Sequence, residues 1–583
     1  MIFNEDSRVK IPALLHLTRL GYTYVSLRDL EWEISSNLVP KLFVEGVSRL
    51  NPEAAPSEID AVLGELSLLL ENEDLGKRFY ERLIARSGLK LIDFDDFRRN
   101  SLHVVTEFPC RNEDEEFRPD ITLLINGLPL VFIEVKKPNN RDGILAERKR
   151  IESRFQNKKF RRFVNATQLM VFSNNMEYDD GSPEPLAGAF YASPSYGKPV
   201  FNYFREEEPL DLDQLLRPED PAAELAILTD TNLGGILHSP EYQTNKDPRT
   251  PTNRLATSLL SPDRLAFLLR YGLAYVRTET GFEKHIMRYP QFFATRAIEA
   301  KLDAGVRKGI VWHTQGSGKT ALAYYNVASL TEYFRTRGIV PKFYFIVDRI
   351  DLLEQASREF RSRGLHVRIV DSRAEFAEEI KSNLAIHNDS GIPEITVVNI
   401  QRFENDPDVV RSTDYAIGLQ RIYFLDEVHR SYNPEGSFLA NLFLSDPEAI
   451  RIGLTGTPLL NGIIRARTTG NEGGTTEDEA AHKIKFTSRT LFGDYLHKYY
   501  YNRSIADGYT LRLIREKIET QYLLRLQEAL DQIKIERETK NREILYAHEK
   551  FVEPMLDYII TDFERARAHS HQPKRLTCLF LTS

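Results

Sequence analysis

Residues 309–320 read GIVWHTQGSGKT, and this stretch decides the fold. An apolar run from Gly309 enters a turn with glycines at 316 and 318 and closes on Lys319-Thr320. That is the order of a buried strand, a phosphate-binding loop and a helix. Gly316 and Gly318, flanking Ser317, let backbone N–H groups curl round phosphate oxygens, and the helix that follows turns its positive end towards them. Lys319 is placed to reach the β- and γ-phosphates of a nucleotide, and the Thr320 hydroxyl to ligate magnesium. The strict pattern has glycine at position 313, where this chain has His313. Read alone, the motif competes with a fortuitous Gly-Ser-Gly turn before a helix.

The surroundings decide between the two. From about residue 280 the chain alternates strand-like and helix-like stretches: GIVWHT, ALAYYNVASLTEYF, KFYFIVD, LLEQASREFRSRG, ITVVN, RIYFLDE and RIGLTGTP. Buried apolar strands alternating with helices predict an α/β fold with a parallel sheet covered on both faces. Ligands of such sheets bind at the carboxyl ends of the strands, and the polar motifs fall there. Asp426-Glu427-Val428-His429 follows the strand RIYFL. In that place Asp426 would hold the Mg2+ of the nucleotide and Glu427 would orient the attacking water.

In order, HTQGSGKT, DEVH and Thr455-Gly456-Thr457-Pro458 resemble the motifs of superfamily 2 helicases and translocases. The resemblance implies a RecA-like, ATP-binding motor lobe over residues 261–460. It also implies that His429, Thr455, Gly456 and Thr457 couple hydrolysis to movement. Gln291, upstream in MRYPQFFATRAI, resembles the glutamine that recognises adenine; a surface glutamine is the competing reading.

Nearer the amino end, helical patterns give way at Ser101 to strands: LHVVTEFPC, then RPDITLLINGLPLVFIEVKKP. Asn126-Gly127 between two apolar runs is a hairpin signal. Glu134 and Lys136 lie two apart on the second strand and so share a face, while Ile133 and Val135 point into the core. Polar groups on a buried strand are costly unless used. Asp120, Glu134 and Lys136 together are what metal-dependent phosphodiester cleavage needs: carboxylate oxygens for Mg2+ and an ammonium to position water and offset charge. Register tests this directly. A plain two-residue turn pairs Asp120 with Ile133 and puts the carboxylates on opposite faces. A three-residue loop with Gly127 left-handed pairs Asp120 with Phe132 and puts them on one face. We expect the second arrangement, or a bulge with the same effect.

Pro119-Asp120 and Glu134-Val135-Lys136 resemble the motif of the PD-(D/E)xK nucleases. The segment from Glu147 to Arg162 holds eight basic residues against two acidic ones. It suits a phosphate backbone beside such a centre, and a solvated helix face equally well. Within it, Gln156 and Phe160 resemble a supporting Gln-x-x-x-Tyr element of one nuclease branch, with phenylalanine in place of the tyrosine. The strand TQLMVFSNN is expected to close a nuclease domain over residues 1–175. Residues 176–260, rich in Pro, Gly, Asp and Asn, read as a connecting region.

The chain has 583 residues, room for roughly three to five domains. Two cysteines, Cys110 and Cys578, exclude a disulfide framework and point to a reducing compartment, the cytoplasm. No apolar run approaches the roughly 20 residues that span a bilayer, so no membrane partner is expected. A net charge of −8 leaves any nucleic-acid contact to local basic patches.

A nuclease domain ahead of such a motor resembles the restriction subunit of type I restriction-modification enzymes. The resemblance runs from about residue 10 to the end. It implies ATP-driven translocation of double-stranded DNA and cleavage by a Mg2+-dependent endonuclease, in complex with methyltransferase and specificity subunits. The alternative is a superfamily 2 motor whose nuclease-like domain only binds DNA. The stretch FGDYLHKYYYNRSIADGYTL from Phe492 is expected to begin a second RecA-like lobe over residues 461–583. Asn461 to Ala480 is expected to be a mobile loop between lobes. KRLTCLFLTS reads as a strand of that second lobe's later motifs, so the second lobe is expected to be incomplete, with weak nucleotide binding and little hydrolysis by these residues alone.

Overall fold

The computed structural model describes residues 5–137, 141–177, 189–389, 391–400, 418–427, 438–458, 462–465, 483–507, 509–510, 520–537, 548–549, 552–557 and 560. The chain divides into two compact units, residues 1–510 and 511–583.

The first sheet of the first unit is built from β1 (Thr23–Tyr24), β2 (Leu102–Thr106), β5 (Ile121–Ile125), β6 (Leu128–Val135), β7 (Leu169–Ser173), β8 (Ala189–Ala192) and β9 (Asn202–Tyr203), in that order. β3 (Cys110–Asn112) and β4 (Glu115–Phe117) form a small separate hairpin. β5 and β6 are buried along their whole lengths, because helices cover both faces. This sheet does not close at Asn175: β8 and β9 extend it by two strands. They come from the segment whose Pro and Gly content read as a connector, and Phe190, Tyr191 and Tyr203 bury there. The rest of that segment is helical over Pro221–Asp230, Pro240–Asn245 and Pro251–Leu260. Proline at each first turn fixes φ where no N–H is needed.

After the hairpin β10 (Leu273–Thr278) and β11 (Gly281–Ile286), the second sheet follows. It comprises β12 (Lys308–His313), β13 (Val340–Val347), β14 (His366–Val370), β15 (Glu394–Asn399), β16 (Leu419–Asp426), β17 (Ile450–Thr455) and β20 (Tyr495–Tyr499). The order is β14-β15-β13-β16-β17-β12-β20, with every pair parallel. Alternation divides its two faces: Phe343, Phe345 and Val347 pack with Val311 and Phe424, while Tyr344 and Ile346 pack with Ile310, Tyr423 and Leu425. Such strands are apolar on both sides, the signature of a doubly covered parallel sheet.

β20 corrects an expectation. The residues from Phe492 do not open a second lobe; they add an edge strand to the first lobe, beside the strand that feeds the phosphate loop. Gly309 is where the two approach most closely, and a Cβ there would meet the Leu496 side chain at 2.4 Å. Between β17 and β20, β18 (Gly462–Arg465) pairs antiparallel with β19 (Lys483–Phe486). Most of the expected loop from Asn461 to Ala480, namely residues 461 and 466–480, lies outside the described residues.

One apolar cluster runs from Val9 through the first sheet to Tyr289, Phe292, Tyr325 and Tyr499, so the core of the first sheet reaches the edge strand β20 of the second. In the second unit, Leu526, Leu530 and Ile533 of the helix Thr520–Arg537 pack against Met555. Among the described residues no helix is long and apolar enough to cross a membrane. Cys110 is a buried free thiol, and Cys578 lies outside the described residues.

Candidate functional site

The first site forms where β5 begins and β6 ends. Asn126 and Gly127 both take positive φ, +48° and +74°, and Ile125 pairs with Leu128 across a two-residue turn. A register shift at Leu123/Leu124 then leaves Ile121 opposite Ile133, which sets Asp120 against Glu134. The three-residue loop does not form; the bulge has the same effect, and both carboxylates lie on one face. Pro129 sits at the irregularity, and with no N–H it leaves a ladder bond unmade there.

The Lys136 ammonium lies 3.7 Å from Asp120 Oδ2 and 3.7 Å from Glu134 Oε2. Asp120 Oδ2 also accepts the Val135 N–H at 2.9 Å, which fixes its carboxylate against the strand. A third acid, Glu5, was not marked by the sequence. Its Oε2 accepts the Lys137 N–H at 3.1 Å, and its Oε1 lies 3.9 Å from Lys136 Nζ. Burial holds Glu5 above the usual carboxylate range; Lys136 opposes this and the charge of Asp120 adds to it. No periodicity at the amino terminus signals this residue, since only the fold brings residue 5 to residue 137. Among the described residues no three His, Cys, Asp or Glu side chains are grouped to hold a metal unaided. Two carboxylates on one face still fit a divalent cation whose remaining ligands are water and phosphate oxygens.

Gln156 is exposed at the end of the helix Arg141–Gln156. Phe160 is buried edge-on against Phe117, so an apolar core selects the ring there. Three of the eight basic residues of the segment are paired: Lys159 with Glu113, Asp114 and Glu115, Arg161 with Glu73, and Arg162 with Glu33.

The second site is the loop after β12. Gly316 and Gly318 take φ of +80° and +86°, and the helix Lys319–Arg335 starts directly behind them. Lys319 Nζ lies 3.5 Å from Glu427 Oε1. Glu427 itself is left-handed, φ +53°; its Oε1 accepts the Gly456 N–H at 2.8 Å and its Oε2 accepts the Thr455 hydroxyl at 2.5 Å. The Thr457 N–H donates to Thr455 Oγ1 at 3.0 Å. Thus Lys319, Glu427, Thr455, Gly456 and Thr457 form one connected set. Gly456 packs closely on the loop, where a Cβ would lie 3.2 Å from the Gln315 nitrogen.

Asp426 ends β16 beside Glu427, and Asp348 lies close enough to be felt electrostatically. Burial pushes the Asp426 carboxyl up to about 6, with Lys319 pulling down and Glu427 and Asp348 pushing up. Asp426 Oδ1 and the Ser317 hydroxyl are buried without a hydrogen-bond partner, which fits a site completed by a magnesium nucleotide. Thr320 stands one residue into the helix, half-buried. Gln291 is buried, not a surface glutamine: its amide donates to the Gly318 carbonyl at 3.0 Å and accepts the Arg288 N–H at 2.9 Å. His429 lies outside the described residues.

His313, the departure from glycine, has a structural reason. Its Nε2 is 2.7 Å from His497 Nδ1 on β20, and His497 Nε2 reaches Glu207. Burial, with the neighbouring charges of His497 and Lys319, depresses His313 well below the usual imidazole range. Glu207 belongs to a strap just after β9 in which each residue is paired: Arg205 with Asp507, Glu206 with Arg264, Glu207 with Arg503, and Glu208 with Arg264 and Arg296. Asp507 also accepts the Tyr289 and Tyr499 hydroxyls, each at 2.6 Å.

Residues 2–181 match the family model of the type I restriction enzyme R protein N terminus, and residues 290–544 match that of the SWI2/SNF2 ATPase. A Methanocaldococcus jannaschii protein, provisionally named the type I restriction enzyme MjaIXP endonuclease subunit, is 24% identical over 78% of this chain and 42% of its own length. The type I restriction enzyme HindI endonuclease subunit of Haemophilus influenzae is 23% identical over 88% of this chain and 46% of its own length. The chain therefore spans less than half the length of these relatives. The DNA-bound ATP-dependent type ISP restriction-modification enzyme LlaBIII superposes with a TM-score of 0.26 at 14% identity, over 38% of this chain and 16% of that one, which is too slight to bear on the fold. The two family matches follow one another along the chain as the two sites do, and the relatives span both, which together support a restriction subunit similar to the type I endonuclease subunits.

Proposed function

We propose that the chain is the motor and nuclease part of a type I restriction complex, translocating double-stranded DNA with ATP and cleaving it with Mg2+ in the cytoplasm, alongside methyltransferase and specificity subunits. The observation that carries the cleavage half is the bulge in the β5–β6 hairpin, which sets Asp120 against Glu134 with Lys136 3.7 Å from both. In this reading a bound Mg2+ supplies Lewis acidity at the scissile phosphate and an acidified water. Asp120 and Glu134 would hold it, Lys136 would orient the water and offset charge, and Glu5 would face Lys136 from the other side. In the motor, Lys319 and the loop N–H groups bind the phosphates, Thr320 and Asp426 take the magnesium of the nucleotide, and Gln291 positions the loop from its Gly318 end. Glu427 orients the attacking water, and its bonds to Thr455 and Gly456 couple hydrolysis to movement.

The test uses the full-length subunit reconstituted with its partners on a circular plasmid carrying the recognition site. Lys136→Ala is expected to abolish cleavage while ATP consumption survives, and Lys319→Ala to abolish both. ATP use without cleavage by the unmutated complex would instead favour a nuclease-like domain that only grips DNA.

A further inference from the structure

A cavity of about 230 Å3 lies at the end of the first sheet away from the cleavage residues. β2 begins at Leu102 opposite Ile125, and it ends at Thr106 opposite Ile121, next to Asp120. Ser101, Leu102 and His103 line the cavity, so a full strand, about 15 Å by its rise, separates it from Asp120. Its other walls carry Arg49 from the helix Pro40–Leu50, Arg98 from the turn Phe97–Arg99, and Arg217 from the chain after the helix Leu212–Leu215.

No carboxylate lines this cavity, and none of the three arginines has an ion-pair partner among the described residues. All three are exposed, so solvent screens their mutual repulsion, and in a chain of net charge −8 their convergence makes a local positive field that favours an anion. Two of the arginines are also held in place. Arg49 Nη2 donates to Ser101 Oγ at 2.5 Å. The Arg217 backbone is tied twice to Arg19, at 2.7 Å and 3.1 Å, and its guanidinium lies over Gly21, where a Cβ would come within 3.4 Å. His103 Nδ1, beneath them, is buried with no hydrogen-bond partner.

We infer that this cavity is a second phosphate site, distinct from the nucleotide loop and from the cleavage face, that takes a single phosphoryl group. Guanidinium forks match phosphate oxygens two at a time. The volume is below the roughly 300 Å3 at which small-molecule pockets begin, and no Phe, Tyr or Trp lines it to stack a base. The recognised group is therefore the phosphate itself, from a nucleic-acid backbone or from a small free phosphate.

The test compares the full chain with the triple variant Arg49→Ala/Arg98→Ala/Arg217→Ala, and with the milder Arg98→Gln should the triple variant fold poorly. Titration calorimetry with inorganic phosphate reads the small ligand, and the salt dependence of binding to a 30-base-pair duplex reads the backbone. The wild type is expected to bind one more phosphate than the triple variant, and Arg98→Gln to weaken that site about tenfold. If the backbone is the source, the slope of log K against log salt also falls by about one in the triple variant. Loss of phosphate binding with an unchanged slope assigns the site to a free phosphate. Unchanged phosphate stoichiometry and an unchanged slope would overturn the inference.

Discussion

Glu427 shows what a single residue can bear. A left-handed glutamate costs about 1–2 kcal/mol of backbone strain, and the conformation is what turns its carboxylate towards Lys319, Thr455 and Gly456 together. Replacing Glu427 by Gln is expected to leave nucleotide binding intact and to lower ATP turnover roughly 10²–10⁴-fold, read by phosphate release at saturating ATP. A variant that loses binding as well would show that the residue is chiefly structural. The acid pair was legible from its place after an apolar strand; its bonds to Thr455 and Gly456 were not, because they depend on how β16 and β17 pair.

Lys284 is a second residue whose environment sets a measurable property. It is buried, donates to the Thr167 carbonyl at 2.9 Å, and burial pushes its ammonium down to about 7. Between about 7 and the ordinary value of 10.5 the unfolded chain therefore holds the extra proton, so stability rises with pH across that window by a few kcal/mol at most. Below about 7 both states are charged and the penalty is complete. Urea midpoints measured from pH 7 to 10 are expected to climb in the wild type and to stay flatter in Lys284→Met; parallel curves would contradict the assignment.

At the scale of the element, the β5–β6 hairpin decides whether a nuclease face exists at all. Asn126-Gly127 announced the turn, and its positive φ values fit those two residue types. The bulge was harder to read, since Leu128, Leu130 and Val131 are alike in apolarity and only Pro129 marks the place where the ladder must break. Gly127 also lets the turn sit against the helix Pro40–Leu50: a Cβ there would lie 2.6 Å from the Phe43 nitrogen and the Val39 oxygen. Gly127→Ala is expected to destabilise the chain by more than about 2 kcal/mol, measured as a lower thermal midpoint, and to weaken cleavage because the register above the turn shifts. The helix Pro56–Leu69 starts at a proline whose fixed φ suits the first turn, and Glu58 accepts the Ala55 N–H.

For the molecule as a whole, the parallel sheet was legible because each buried strand is a continuous apolar run. The partnership between the two sheets was not, because Glu207, His497 and Asp507 are ordinary polar residues in sequence and acquire meaning only across 200 to 300 positions of chain. Asp507 gathers Arg205, Tyr289 and Tyr499 in a buried cluster. Asp507→Ala leaves the Arg205 charge without this carboxylate, and a loss of about 3–5 kcal/mol is expected, seen as a lower urea midpoint. An unchanged midpoint would mean that solvent or another acid replaces it.

The position of β20 has a consequence for how the chain is made. β12 is translated long before either of its neighbours: its Trp312 bonds to Gly456, 144 residues later, and its His313 meets His497, 184 residues later. During synthesis the strand that carries the phosphate loop therefore emerges as a bare apolar edge and stays one for many seconds at ordinary elongation rates. Ribosome-bound chains halted between those two points are expected to lean on chaperones and to aggregate without them. The nucleotide pocket is in this sense a late product of translation, closed from the carboxyl side by a strand that arrives last.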